Sequence, residues 1–246
     1  MALLSFEHVS KHYSQGRRDI VVLDDVSFEI DSGDFIGIWG MRRSGKSTLL
    51  RVAAGIEPPD QGKVLFDGMD ITRMSAAKRA RLLRGAIGLA SMDRRFARNQ
   101  RVVDHVALPL VSDGVSFRQA TLAARRALDR VGARDCADAF ASWLSPGEQV
   151  RVGIARTLIH EPGLLLIDEP ALTPNPAERD ELYKLLRALP SQLDTTLVIA
   201  SEDTSALRGA KRMMSIADGQ LHSTDRAGQL VKFPERRAVA AERPRR

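Results

Sequence analysis

The sequence predicts an α/β fold built on a largely parallel β-sheet. Short β-like runs recur at residues 3–9, 20–30, 35–39, 63–66, 86–90, 164–167, 196–200 and 212–216. Two stretches, 164–167 and 197–200, are apolar without alternation, as strands covered on both faces are. Between Val102 and His160 the strand signal disappears, and segments such as 116–131 have helical spacing instead. We therefore expect an α/β core that is interrupted by a helical insertion.

The composition is that of a globular protein. The chain has 246 residues, of which 43% are apolar and 28% charged, enough for one large domain or two small ones. Of the net charge of +6, about four charges lie in residues 232–246, which hold six basic and two acidic residues. A nearly neutral body argues against a nucleic-acid partner. We expect residues 223–246 to form a basic, solvated and disordered tail.

The cysteine count and the hydropathy pattern bear on location. Cys136 is the only cysteine, so no internal disulfide can form, and a reducing cytoplasm is the natural environment. Residues 1–13 lack the apolar stretch of a signal peptide, and no run approaches the ~20 apolar residues of a membrane span. We expect a cytoplasmic chain that lies at the inner face of the cell membrane through a partner.

A phosphate-binding loop follows the apolar run 35–39. The pattern GxxxxGK[ST] works there because glycines let backbone N–H groups surround phosphates. Lys46 is predicted to contact the β- and γ-phosphates, and the Ser47 hydroxyl to ligate Mg²⁺. The predicted nucleotide-binding residues of this loop are Gly40, Met41, Arg42, Arg43, Ser44, Gly45, Lys46, Ser47 and Thr48.

The second part of the predicted site is the end of the run 164–167, where Asp168 and Glu169 follow. A buried strand that ends in two carboxylates places Asp168 beside the metal and leaves Glu169 to polarise the attacking water. The alternative is a pair that caps a helix, because Pro170 follows and favours a helix start or a turn.

With these motifs the sequence resembles the ATP-binding-cassette (ABC) ATPases over about residues 3–222. Tyr13 stands where the family has an aromatic residue that stacks on adenine. Leu144-Ser145-Pro146-Gly147-Glu148-Gln149 resembles the family's LSGGQ or LSGGE signature. The resemblance implies a P-loop NTPase (RecA-like) core with an N-terminal antiparallel β part. It also implies one domain over 1–222, with a helical subdomain inserted at about 94–160, most similar to the lipoprotein-release, macrolide-export and cell-division type.

The resemblance also implies a mechanism and partners. Two ABC domains dimerise head to tail, and ATP with Mg²⁺ lies between one domain's phosphate loop and the other's signature. Ser145, Gly147 and Glu148 would then act on the opposing ATP. The alternative for this segment is a Ser-Pro helix cap, and both roles are compatible. The expected partners are a membrane-spanning ABC subunit and a second ABC domain, from the same chain or from another.

Four positions depart from the family pattern. This chain has Met92 where the family has a glutamine, Pro146 where the family's signature has its first glycine, Asn175 where the family has an aspartate, and Glu202 where the family has the switch histidine. If Glu202 takes the histidine's place, its carboxylate points towards the γ-phosphate. At ~5 Å and an effective dielectric constant of ~20, that repulsion is about 3 kcal/mol.

Arg42 and Arg43 are candidates to offset this extra anion. We hypothesise that one of them pairs with Glu202 or with the phosphates, giving a site that binds nucleotide but hydrolyses it slowly; the alternative is two solvated loop charges. Two functions follow. The chain is the ATPase subunit of a membrane ABC complex, or a catalytically degenerate, nucleotide-gated dimerisation subunit with little turnover.

The loop after Met92 concerns the membrane partner. In the family, a groove beside this loop receives a short helix from the membrane subunit. Residues 93–101 carry four arginines around Phe96. We expect either a contact with an acidic coupling segment, with Phe96 as its apolar anchor, or a basic loop that faces solvent or lipid headgroups.

Overall fold

The computed structural model describes residues 2–16, 18–91, 99–170 and 175–224. Ten strands form two sheets in this part of the chain: β1 (Ala2–Gln15), β2 (Arg18–Asp31), β3 (Phe35–Trp39), β4 (Gln61–Phe66), β5 (Met69–Asp70), β6 (Ile87–Ser91), β7 (Leu164–Asp168), β8 (Thr196–Ser201), β9 (Arg212–Ala217) and β10 (Gln220–Thr224). The α-helices are α1 (Lys46–Ala53), α2 (Ala76–Gly85), α3 (Val102–Ser112), α4 (Phe117–Arg130), α5 (Pro146–Leu158) and α6 (Pro176–Leu193). Short 3₁₀ helices lie at Arg134–Cys136, Ala141–Trp143 and Thr204–Leu207.

The larger sheet has the strand order β10-β9-β3-β8-β7-β6. Strands β9, β3, β8, β7 and β6 run parallel, and β10 pairs antiparallel with β9 at one edge. The register aligns the carboxyl ends of the parallel strands: Trp39 pairs with Ser201, and Asp168 with both Ala200 and Ser91. Ligands of open α/β sheets bind beyond this edge, so the polar residues after these strands are the candidates for a site.

Strand β7 separates two hydrophobic cores. Leu164 and Leu166 belong to the core shared with α1 and the smaller sheet, whereas Leu165 and Ile167 belong to the core shared with α3, α4, α5 and α6. All four side chains are fully buried. The apolar run without alternation is therefore explained by cover on both faces, as the sequence predicts.

The smaller sheet is antiparallel, with the order β2-β1-β4-β5. Leu4, Phe6 and Val64 on its inner face are buried, and Glu7, the residue after Phe6 on β1, faces solvent. This confirms the predicted N-terminal antiparallel β part. The sequence did not predict β5, which has only two residues, or β10, in which Leu221 is the only strongly apolar residue.

Three helices, α3, α4 and α5, lie between β6 and β7. Within the described residues 99–163 the only β pairing outside the named strands is an isolated bridge between Arg101 and Phe140. Small apolar residues of α4, such as Ala120, Ala124 and Ala127, are buried against this core. The predicted helical insertion in an α/β fold is thus confirmed.

Some predictions lie outside the described residues. They are Met92, most of the arginine-rich loop at 93–98, and the tail from residue 225 onward. Strand β10 extends to Thr224, two residues beyond the predicted domain end. In the described part of the chain, no helix has both the length and the apolar composition to span a membrane.

Candidate nucleotide-binding site

The phosphate loop follows β3 directly and ends in α1. Gly45 is the N-cap of α1 and has a left-handed backbone with φ of 105°. A Cβ at Gly40 would lie 2.5 Å from Ser44 Oγ and 2.8 Å from the Ile216 carbonyl oxygen. Glycine is therefore required at both positions, one for its conformation and one for close packing. The loop leads into a helix N-terminus, which attracts phosphate groups.

Lys46 is buried at the start of α1, with 4% of its side chain exposed. Its Nζ donates to the carbonyl oxygens of Gly40 at 2.7 Å and Met41 at 3.0 Å. The same ammonium forms an ion pair with Glu169 Oε1 at 3.0 Å. The loop is thus folded around its own lysine, and the ammonium lies at the turn where the sequence pattern predicts the phosphates.

Glu169 lies at the carboxyl end of β7 in a left-handed conformation, with φ of 48°. Its N–H donates to the Ala200 carbonyl oxygen at 2.9 Å, which fixes the turn. Its Oε2 accepts from Ser201 Oγ at 3.3 Å and from the Glu202 N–H at 3.1 Å. Positive φ in a non-glycine residue is uncommon and recurs at functional sites, because the surrounding contacts must hold it.

Asp168 is the last residue of β7 and is largely buried. Burial raises the pKa of its carboxyl group, a hydrogen bond with the Ser47 side chain lowers it, and the neighbouring Glu169 charge raises it again. Its buried Oδ1 has no hydrogen-bond partner among the described residues. An unpaired carboxylate oxygen beside the Ser47 hydroxyl fits a hard cation, and Mg²⁺ would be held by these two residues. Because the pKa of Asp168 is raised, protonation of this carboxylate competes with Mg²⁺ binding at higher pH than it would at an exposed aspartate.

Glu202 follows β8 and lies beside the same lysine. Its Oε1 is 4.0 Å from Lys46 Nζ, and 43% of its side chain is exposed. Trp39 Nε1 donates to the Glu202 carbonyl oxygen at 3.1 Å and fixes the backbone there. Two carboxylates, Glu169 and Glu202, therefore share one ammonium.

The sequence leads to the hypothesis that one of Arg42 and Arg43 pairs with Glu202 or with the phosphates. Both side chains are exposed, and Arg43 has a left-handed backbone with φ of 65°. Within the described residues neither arginine forms an ion pair with Glu202, whose cation is Lys46. The structure therefore does not contain a pairing of either arginine with Glu202, and their contact with bound phosphates stays a prediction.

The signature segment caps α5. Ser145 Oγ accepts from the Glu148 N–H at 3.2 Å, and Glu148 Oε2 accepts from the Ser145 N–H at 2.7 Å, which is a capping box. Pro146 occupies the first helical position, where its missing N–H has least effect. The capping box and the N1 proline are the features of the Ser-Pro helix cap, which the sequence indicates as an alternative to contact with the opposing ATP and as compatible with it.

Two further contacts surround this helix start. Burial, a hydrogen bond to Glu148 and its charge raise the pKa of the Cys136 thiol to about 12, so the thiol stays protonated and donates to Glu148 Oε1 at 3.0 Å. Glu178 Oε2 of α6 lies 3.3 Å from the Gly147 N–H and 3.5 Å from Ser145 Oγ. In a single chain, Ser145 and Gly147 contact this carboxylate and not the phosphate loop of their own domain.

Sequence reasoning missed Trp39, Ser201 and Glu178 as parts of the site. Trp39 and Ser201 each end a parallel strand, and that position was an available signal. Glu178 offered none, because only the packing of α6 against α5 brings it to the signature.

A phosphate loop after one parallel strand and an Asp-Glu pair after a neighbouring one define a P-loop nucleoside triphosphatase. Within that class, the chain belongs to the ABC transporter family, whose model matches residues 23–172. It is an ATP-binding subunit of this family, similar to the cell-division and lipoprotein-release members.

Two curated relatives illustrate the similarity. The cell division ATP-binding protein FtsE of Escherichia coli K12 is 37% identical over 221 residues, covering 89% of this chain and 97% of that protein. The lipoprotein-releasing system ATP-binding protein LolD of Shewanella frigidimarina is 34% identical over 220 residues, covering 89% and 92%.

The solved structures agree with the fold. A dimeric post-hydrolysis state of the ATP-binding cassette MJ0796, bound to ADP and phosphate, superposes with a TM-score of 0.84 at 25% identity, covering 92% of this chain and all of that one. A second dimeric structure of MJ0796 gives a TM-score of 0.82 at 26% identity, covering 89% of this chain and 96% of that one.

Proposed function

We propose that this chain binds Mg²⁺ and ATP between its own phosphate loop and the signature of a second ABC domain. ATP binding, followed by slow hydrolysis, would drive transport or extrusion by a separate membrane-spanning subunit. That subunit would hold the chain at the inner face of the cell membrane. The observation that carries the proposal is the convergence of Lys46, Asp168 and Glu169 at one edge of the parallel sheet. Dimeric MJ0796 and the membrane-complex relatives support the partners.

The contacts of Lys46 suggest how nucleotide binding prepares the site. In the structure the Lys46 ammonium forms an ion pair with Glu169 at 3.0 Å. A triphosphate carries more negative charge than one carboxylate, so we expect Lys46 to turn to the phosphates. Glu169 is then released as a base for the attacking water, while Ser201 Oγ and the Glu202 N–H still hold its Oε2. Bound Mg²⁺ would neutralise the developing charge on the phosphates.

We expect slow ATP hydrolysis because of the negative charge of Glu202. Its carboxylate lies close to the cation that must neutralise the γ-phosphate. A histidine in this place can donate a hydrogen bond to that phosphate, whereas a carboxylate repels it. Loss of one positioned group typically costs about 10²–10³ in rate.

Replacing Glu202 by histidine is therefore expected to raise the steady-state rate of ATP hydrolysis, by up to about 10²-fold. Phosphate release from the purified chain, with and without its membrane subunit, measures the change. Glu181→His is the matched control, because Glu181 is an exposed glutamate of α6 that pairs only along its own helix with Lys184 among the described contacts. If hydrolysis falls while the variant stays folded, Glu202 works in place and is not a defect.

The membrane subunit has a candidate docking place. A groove of about 440 Å³ lies between β6 and the helices α3 and α5. It is lined in part by Leu89, Leu108, Pro109 and Gln149. The groove adjoins the end of β6 and thus the nucleotide edge of the sheet, so a helix bound here would respond to changes at the site.

Leu108→Arg tests this docking place. Leu108 lines the groove and is 43% exposed. We expect the longer arginine side chain to fill part of the groove and to disrupt co-purification with the membrane subunit in detergent, while ATP affinity stays unchanged. Leu122→Arg on α4 is the control, because Leu122 is similarly exposed at 51% but lies outside the groove. A complex that survives Leu108→Arg would place the contact elsewhere.

Steady-state hydrolysis tests the proposal as a whole. We expect ATP turnover that increases when the membrane subunit is present. The family and its transporter relatives favour this function over a dimerisation subunit without turnover. Binding and dimerisation with no hydrolysis under either condition would instead support the degenerate subunit.

A further inference from the structure

The hydroxyl group of Tyr13 contacts Glu57, which the sequence did not indicate, and Thr48 of the phosphate loop. The hydroxyl donates a hydrogen bond to Glu57 Oε2, and it lies 3.5 Å from Thr48 Oγ1. Thr48 belongs to the phosphate loop, and Glu57 follows the end of α1 by four residues. The ring on β1 is therefore tied to both ends of the helix that begins at Lys46.

Glu57 is itself fixed by Arg51. Arg51 Nε lies 2.7 Å from Glu57 Oε1, and Arg51 Nη2 donates to Thr48 Oγ1 at 3.4 Å. The two charged side chains are 38% and 28% exposed, so this pair is more enclosed than an ordinary surface ion pair. A phenol that donates to a carboxylate forms a charge-assisted hydrogen bond, which is stronger than a neutral one.

One face of the Tyr13 ring is already covered. Lys11 Nζ lies over the ring at 5.7 Å from its centroid, and Asp60 Oδ1 holds the same ammonium at 2.9 Å. A cation at this distance is attracted to the ring face. Only the opposite face then remains for a flat ligand.

We propose that Glu57 and Arg51 are positioning residues for adenine binding: they fix the Tyr13 ring so that the face opposite Lys11 stacks on the base. This inference rests on the proposed function, in which Tyr13 stacks on the adenine of ATP. It deepens that function by naming which residues orient the base contact, and by linking the base contact to the phosphate loop through Thr48.

A double-mutant cycle of Tyr13→Phe and Glu57→Gln tests the inference. Both changes nearly preserve shape: Tyr13→Phe removes the donor, and Glu57→Gln removes the negative charge of the acceptor and of the ion pair with Arg51, so each abolishes the charge-assisted hydrogen bond. Affinities for ATP and for inorganic tripolyphosphate, both with Mg²⁺, are measured by calorimetry. We expect each single variant to weaken ATP binding by about 3- to 10-fold, less than the full value of one charge-assisted hydrogen bond because the Tyr13 ring can still stack on the base, and to leave tripolyphosphate binding unchanged. The double variant should be no weaker than either single one, because both remove the same interaction.

Glu7→Gln is the matched control, because Glu7 pairs with Lys63 on the smaller sheet, with both side chains about half exposed. It should change neither affinity. Additive effects, equal weakening of both ligands, or unchanged ATP affinity in Glu57→Gln would overturn the positioning role. A merely structural role of Glu57 would weaken ATP and tripolyphosphate together.

Tyr13→Ala separates this inference from the function on which it rests. If it weakens ATP binding and spares tripolyphosphate while Glu57→Gln changes neither, the base site stands and only the positioning role is wrong. If Tyr13→Ala affects both ligands equally, or neither, the base site assigned to Tyr13 is wrong as well.

Discussion

Lys46→Ala is expected to lower the affinity for ATP by about 10²-fold or more. The side chain supplies the only buried ammonium among the described residues of the loop, and hydrogen bonds to charged groups contribute about 1.5–3 kcal/mol each. The same change leaves Glu169 and Glu202 without their shared cation, so two carboxylates would then repel the incoming phosphates. Equilibrium titration with ATP and Mg²⁺ measures the loss.

Lys184→Ala is the matched control for that variant. Lys184 is an exposed lysine of α6 that pairs with Glu181 three residues away, so its loss should not change ATP affinity. Thermal unfolding of both variants checks that the fold is retained. Unchanged ATP affinity in a folded Lys46→Ala chain would falsify the assignment of the phosphate loop.

Glu169→Gln is expected to lower ATP turnover by about 10²–10⁴-fold without weakening ATP binding. A glutamine keeps an oxygen that accepts from Ser201 Oγ and the Glu202 N–H, so the local geometry can survive. The amide cannot take a proton from the attacking water, and this step accounts for the loss in rate. It also removes one negative charge near the γ-phosphate, so ATP-bound dimers should accumulate.

Phosphate release and size-exclusion chromatography with ATP measure these two effects. Both are read in the presence of the membrane subunit, where turnover is highest. Glu181→Gln on the outer surface of α6 is the control and should change neither quantity. Turnover that persists at the unmodified rate in Glu169→Gln would mean that another group acts as the base.

The strands and the phosphate loop could be predicted because their signals are local. The run 164–167 and the residues 40–48 carry their information in adjacent positions, and the structure places them as β7 and as the turn into α1. Even the unusual apolar pattern of β7 was informative, because only cover on both faces explains it.

The remaining parts of the site depend on contacts between distant segments. The Trp39 contact with Glu202 joins residues 163 positions apart, and the Glu178 contact with Gly147 joins residues 31 apart. Residue types alone suggested Arg42 or Arg43 as the cation for Glu202, but the buried Lys46 lies nearer. A sequence pattern shows which charged residues are present but not how far apart they lie. Here the distance from Lys46 Nζ to Glu202 Oε1 identifies Lys46 as the cation beside Glu202.

The division of β7 between two cores limits how this protein can be re-engineered. Leu165 and Ile167 share a core with α3, α4 and α5, and α5 packs directly on β6 and β7. Excising the helices 102–158 to obtain a minimal nucleotide-binding module would strip cover from these side chains, at about 1.5–3 kcal/mol for each one fully exposed. A domain is typically stable by only about 5–15 kcal/mol. The helices therefore cannot be exchanged between homologues by themselves. A chimera should exchange them together with the buried residues of β6 and β7.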